Sequence, residues 1–226
     1  MALFFQHNIN ASTKLGIWHI EEPEGFFLAR VPLQRDIRHP HKRLQHLAGR
    51  YLLSFLFPGF PYELIKIAET KKPFLPDEAF HFSISHCGNY AAAIVSSTHR
   101  VGIDIEIPTT KVALVREKFL HAEESAILAN DYNPVSASPF YAHDYQLRKL
   151  TLLWSAKEAV FKWYGNGEVD FSEHIRIVPP ETAIGIPGNG ILSGSFQKEN
   201  PFVLTLPFVN FNEICLVWVM TLPTSF

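Results

Sequence analysis

Two acidic side chains stand two residues apart in Val101-Gly102-Ile103-Asp104-Ile105-Glu106. On a strand, positions i and i+2 face the same side, so Asp104 and Glu106 share one face while Ile103 and Ile105 anchor the other. Carboxylates held side by side repel one another and invite a divalent cation. The plain alternative is a half-exposed strand edge, and a motif this short matches by accident more often than not. A second group lies in Leu153-Trp154-Ser155-Ala156-Lys157-Glu158-Ala159-Val160-Phe161-Lys162, where Glu158 and Lys162 are i, i+4 neighbours on a helix face. Alone, such a pair is a surface ion pair worth a few tenths of a kcal/mol. Here Trp154, Val160, Phe161 and Trp163 surround it with bulk better suited to a cleft wall. Ser83-Ile84-Ser85-His86-Cys87-Gly88 sets hydroxyls, an imidazole and a glycine at a strand end, where donors meet phosphate, or where a serine merely caps a turn. Lys71-Lys72-Pro73 is a cation pair on a stiff loop, ordinarily just a solvated turn. Gly185 to Gly194 has neither a phosphate-loop Lys-Ser/Thr ending nor GxGxxG, and reads as a hairpin.

These groups need elements to hold them. Leu15 to Ile20 reads as an early strand, followed by a polar loop. From His41 to Phe57, Leu44, Leu47, Tyr51 and Phe55 recur at helical steps before Pro58-Gly59, while Arg43, His46 and Arg50 form a basic stripe on the opposite face. Glu63–Ala68, Ala79–Ser85, Tyr90–Ser97 and Arg100–Ile107 read as short strands. Lys111–Asn130 is weakly helical, and Asp131–Ala142 reads as a loop. Tyr145–Tyr164 is the second long helix, stopped by Gly165-Asn166-Gly167. Strands are expected at Ile175–Val178, Gly190–Gln197, Phe202–Leu206 and Glu213–Leu222, with turns at Gly188-Asn189-Gly190 and Asn210–Asn212. The order describes an α+β protein of two halves, each a long helix against a small, mainly antiparallel sheet.

The chain has 226 residues, 47% of them apolar and 19% charged, enough for a sizeable core. With 20 Lys and Arg against 22 Asp and Glu, net charge is −2, so no global field favours nucleic acid or an anionic membrane as partner. Ile214–Met220 is the longest apolar run, too short to span a bilayer, and Lys14 is the first cation, so no basic leader is expected. These features give the expectation of a cytoplasmic protein in which Cys87 and Cys215 stay reduced.

In combination and in this order, the basic helix with Gly49-Arg50, Lys72-Pro73, Ile84-Ser85-His86, Gly102 to Glu106, and Trp154-Ser155-Ala156-Lys157-Glu158 with Lys162 resemble the 4'-phosphopantetheinyl transferases of the large monomeric, surfactin-synthetase-activating type. The resemblance covers roughly residues 40 to 165. It implies a pseudo-dimer of two similar halves, here 1–106 and 107–226, with coenzyme A and Mg²⁺ between them, modifying an apo acyl or peptidyl carrier protein as a monomer. It carries Asp104, Glu106 and Glu158 to the metal ligands, Arg50 to the coenzyme A 3'-phosphate, and Lys72 to the nucleotide. Ser85 and His86 go to the diphosphate, Lys162 to the phosphates on the reacting side, and Glu158, or a water it holds, to the base. Lys71 stands where the family often has glycine. The implied reaction is attack of a carrier serine on the coenzyme A β-phosphate, releasing 3',5'-ADP. Phe119 and Leu120 offer a docking spot for the carrier if they are exposed, and core residues if not. The rival readings are an Mg²⁺-dependent nucleotide or phosphodiester hydrolase, which would release 3',5'-ADP without an acceptor, and a non-catalytic coenzyme A-binding protein.

Overall fold

The structure, a computed structural model, describes residues 2–130, 139–178, 188–198 and 201–223. It is a mixed α+β protein whose strands pair antiparallel. The chain divides into two compact units, one running to Ile105 and taking up again at Met220, the other spanning Glu106–Val219.

The first unit contains β1 (Leu3–Asn10), β2 (Thr13–His19), α1 (Glu24–Leu28), α2 (Pro40–Leu56), β3 (Lys66–Ile67), β4 (Pro73–Phe74), β5 (His81–Cys87), β6 (Tyr90–Ser96) and β7 (Arg100–Glu106), whose last residue begins the second unit. Strands β1-β2-β6-β5 form a sheet in that order. Helix α2 starts at Pro40, where a missing N–H costs nothing, behind His39, whose Nδ1 accepts from the Lys42 amide. Its Leu47, Ala48, Leu52, Leu53 and Leu56 pack with Trp18, Phe27, Phe82 and the alanines Ala91 and Ala93 of β6, whose small side chains let the helix settle close to the sheet. The approach is tightest at Gly49, where an added Cβ would lie 2.6 Å from Ile84 Cγ2.

The second unit contains α3 (Lys111–Leu114), α4 (Ala122–Asn130), α5 (Pro139–Tyr164), α6 (Phe171–His174), β8 (Ile175–Ile177), β9 (Gly188–Phe196), β10 (Phe202–Asn210) and β11 (Cys215–Thr221). Strands β8, β9, β10 and β11 pair in sequence. Leu152, Leu153, Ala156, Ala159, Val160 and Trp163 make the stripe by which α5 meets Leu192, Leu204, Leu206 and Val217. Among the described residues no helix is long and apolar enough to cross a membrane.

Several expectations are corrected. Strand β1 lies ahead of the first expected strand, and its alternation is masked by His7, Asn8 and Asn10 at an exposed edge. Helix α1 stands in the expected polar loop, burying Phe27. Glu63–Ala68 is a 3-10 turn followed by the two-residue β3, because Pro61 fixes the chain ahead of it and β3 finds a partner only in the two residues of β4. Lys111–Asn130 breaks into α3, a 3-10 turn at Arg116–Lys118 and α4, since Phe119 and Leu120 turn inward. Helix α5 begins at Pro139, so the expected loop is helical over 139–142, while 131–138 lies outside the described residues. Gly188–Gly190 is not a turn but the start of β9, where Gly190 leaves room for the Phe208 ring 2.8 Å from where its Cβ would stand. The expected hairpin over Gly185–Gly194 is therefore strand from 188 onward, and 185–187 lies outside the described residues.

Gly49→Val puts branched carbon where Ile84, itself stiff about χ1, cannot yield without moving β5. The expected loss is about 1–3 kcal/mol of unfolding free energy in a denaturant titration, with most of it recovered when Ile84→Ala accompanies it.

Candidate functional site

The basic stripe of α2 does not face water. His46 is 8% exposed and Arg50 6%, whereas Arg43, half-buried, is bound by both oxygens of Glu24, Nε to Oε1 at 2.7 Å and Nη2 to Oε2 at 2.8 Å. Arg50 has a different set of partners. Its Nε donates to Gln34 Oε1 at 3.3 Å and its Nη1 to His46 Nδ1 at 3.1 Å, both neutral acceptors. Among the described residues no carboxylate answers this buried guanidinium, and burial together with Arg35 lowers its pKa to about 10. Burial, Arg50, Arg35 and His86 together lower His46 to about 3. Because Arg50 can only donate, His46 accepts through Nδ1 and carries its proton on Nε2. Nε2 is buried with no partner among the described residues, an omission that costs about 1–3 kcal/mol.

Helix α2 also grips the turn after β5. His41 Nε2 and Gln45 Nε2 both bond the Gly88 carbonyl, at 2.9 and 2.7 Å, and Gly88 takes φ +47°. That turn follows Ser85, which is buried, and His86, which is exposed. Ser85 Oγ donates to Asp104 Oδ1 at 2.7 Å, and the Ile103 amide donates to Ser83 Oγ at 3.2 Å, so β5 positions the acidic stretch of β7 through side chains. Asp104 is 2% exposed, so this stretch is not the half-exposed edge of the plain reading. Lys72 follows Lys71, which adopts the left-handed φ of +66° in its own right where the resemblance led one to expect glycine. Burial, and then Arg100, lowers the pKa of Lys72 to about 8.

In the second unit, Glu106 Oε1 accepts from Trp154 Nε1 at 3.3 Å. Glu158 lies one turn beyond Trp154 on α5 and Lys162 one turn further, both half-buried. Lys157, on the inward face, is fully buried: its Nζ bonds the carbonyls of Phe119, Phe171 and Ile175 at 2.7, 3.0 and 2.8 Å and Glu124 Oε2 at 2.7 Å. Glu124 accepts in turn from the amides of His121 and Ile177. Burial lowers the Lys157 pKa, and Glu124 opposes the shift. Phe119 and Leu120 are buried beneath this clasp, so they belong to the core and not to a docking spot.

Among the described residues no group of three or more His, Cys, Asp or Glu side chains is drawn together as a metal cage. Asp104, Glu106 and Glu158 are each of the carboxylate donor type that Mg²⁺ takes, and hydrogen bonds orient two of them: Ser85 holds Asp104 and Trp154 holds Glu106. The sequence places His46 in the basic stripe but not as a partner of Arg50, and it gives Gln34, Gln45 and Lys157 no role. The spacing of His46 and Arg50, one helical turn apart, was the available signal, but a sequence does not show that the basic face is buried.

The model of the family described as "4'-phosphopantetheinyl transferase superfamily" matches residues 100–203. The chain is 32% identical over 148 residues to the 4'-phosphopantetheinyl transferase AcpT of Escherichia coli K12, covering 61% of this chain and 68% of that protein. It is 34% identical over 125 residues to Enterobactin synthase component D of the same strain, covering 54% of each. It is 29% identical over 157 residues to the 4'-phosphopantetheinyl transferase HetI of a Nostoc species, covering 64% of this chain and 62% of that protein.

Lys157→Met strands Glu124 as a lone buried charge, and the expected cost is about 3–5 kcal/mol by chemical denaturation. Adding Glu124→Gln should return part of that loss, and a single variant as stable as the wild type would contradict the clasp.

Proposed function

The chain belongs to the 4'-phosphopantetheinyl transferase superfamily, a family of enzymes, and from that premise we propose that it moves the 4'-phosphopantetheine group of coenzyme A onto a serine of an apo acyl or peptidyl carrier protein, with Mg²⁺ and release of 3',5'-ADP. The observation that carries the reading is Arg50, a desolvated guanidinium held by neutral acceptors and open in charge to an anion. We assign it the 3'-phosphate. Lys72 takes the nucleotide, and Ser85 and His86 take the diphosphate. Lys162 takes the phosphates on the reacting side. The large monomeric type fits best: halves 1–106 and 107–226 form a pseudo-dimer, and what supports this is that each unit sets one long helix on an antiparallel sheet. The proposed place of work is the cytoplasm.

Asp104, Glu106 and Glu158 would hold Mg²⁺, which when bound supplies charge neutralisation on the diphosphate. The residues of the chain do the rest. Glu158, or a water it holds, accepts the serine proton as the serine Oγ bonds to the β-phosphorus. The bond from that phosphorus to the bridging oxygen breaks, and 3',5'-ADP leaves. Lys162 meets the charge spreading over the non-bridging oxygens, and His86 donates a hydrogen bond to the diphosphate.

Intact-mass measurement of a panel of apo carriers incubated with coenzyme A and Mg²⁺ should show the phosphopantetheine increment, with Glu158→Gln slowing it about 100-fold or more. Release of 3',5'-ADP without a carrier would instead mark a hydrolase. Lys72 adds a pH dependence whose direction follows from its pKa of about 8. It is charged below that value and neutral above it, so coenzyme A affinity falls as pH rises through about 8, by up to about tenfold. An approaching phosphate draws the proton back, so calorimetry near pH 8 in buffers of different ionisation enthalpy should register proton uptake, and Lys72→Arg should flatten the profile. Equal affinities on both sides of that pH would remove Lys72 from the site.

A further inference from the structure

The other α2 arginine shows what Arg50 lacks. Arg43 is closed by the Glu24 carboxylate through two bonds, so its charge is spent within the fold. Arg50, more deeply buried, is held by the imidazole of His46 one helical turn away and by the Gln34 amide. A carboxylate in place of His46 would hold the guanidinium equally well and also neutralise it, leaving little attraction for a phosphate. An imidazole accepting through Nδ1 fixes the direction of Nη1 and takes no charge. The fold tolerates a buried Nε2–H without a partner among the described residues to keep this arrangement. Fold stability gives no reason to prefer it, because an acidic side chain at position 46 would satisfy Arg50 and leave no stranded donor.

We propose that His46 is a positioning residue for anion recognition: as a neutral acceptor it aims Arg50 while preserving its charge, and so sets how strongly the protein prefers coenzyme A bearing the 3'-phosphate to its 3'-dephospho form. This rests on the assignment of Arg50 to the 3'-phosphate, so the test contains an arm for that assignment. The low pKa of His46 is consistent with an imidazole that stays neutral throughout the working range.

The experiment measures Kd of the full-length protein for coenzyme A and for dephospho-coenzyme A by calorimetry, with thermal melts alongside. His46→Glu should melt no lower than the wild type yet bind coenzyme A about tenfold or more weakly, with dephospho-coenzyme A changed less than about threefold. His46→Gln, a neutral acceptor, should keep the wild-type preference within about threefold, and His46→Leu, which cannot accept, should lose about fivefold or more of it. Arg50→Ala should abolish the preference. If His46→Glu folds and retains the preference while Arg50→Ala loses it, the role of His46 is refuted and the phosphate assignment stands. If Arg50→Ala itself keeps the preference, the assignment falls and the inference falls with it. Should His46→Glu not fold, the Gln and Leu variants decide, and equal behaviour of those two overturns the proposal.

Discussion

A cation removed from water must be answered, and this chain answers its buried cations in two opposite ways. Lys157 receives three carbonyls and a carboxylate, which join the turn at Phe119, helix α4, the residues around α6 and the start of β8 to one point on α5. Nothing remains for a ligand to contribute there, and the ammonium acts as a structural tie. Arg50 receives an imidazole and an amide, which satisfy its geometry and leave its charge unmatched among the described residues. Both side chains sit on the longest helix of their unit, and both helices are seated by an apolar stripe on an antiparallel sheet. The difference between the tie and the proposed binding group lies in the chemistry of the acceptor and not in the depth of burial.

That difference explains what could be read from the amino acids and what could not. Helices α2 and α5 declare themselves by Leu44, Leu47, Tyr51 and Phe55, and by the apolar residues around Trp163, because a stripe packed on a sheet needs helical spacing. Strands β5 and β6 are equally plain, bounded by Gly88-Asn89. The acidic pair of β7 and the acid and lysine of α5 are visible because motifs keep their order. By contrast β1 pairs only through a polar edge, and β3 exists only because β4 lies opposite it, so their cause sits in another segment. The same holds for the residues around the site. Nothing local announces that Gln34 reaches Arg50 sixteen positions away, or that Glu124 meets Lys157, because long-range polar pairs have no period.

Local strain follows a related logic. Lys71 adopts a left-handed backbone that glycine would take freely, and its amide bonds the Ala68 carbonyl while Ala68 bonds that of Lys72. The two crossing bonds close the loop tightly enough to hold the unfavourable torsion, at a cost of about 1–2 kcal/mol. The lysine that follows is thus presented by a loop whose shape is set by main-chain bonding and the short β3–β4 ladder, and not by a permissive residue.

The carbonyl of Gly88 accepts from two residues of α2, His41 and Gln45, a helical turn apart. The bend joining β5 to β6 is thereby fastened to the helix that bears Arg50. Ser85, His86 and the guanidinium travel as one piece, so a nucleotide bound as proposed would not have to freeze two independent parts. Transplanting the proposed recognition surface into another scaffold would require carrying helix and bend as a single cassette, since either taken alone would arrive without the brace that sets its angle.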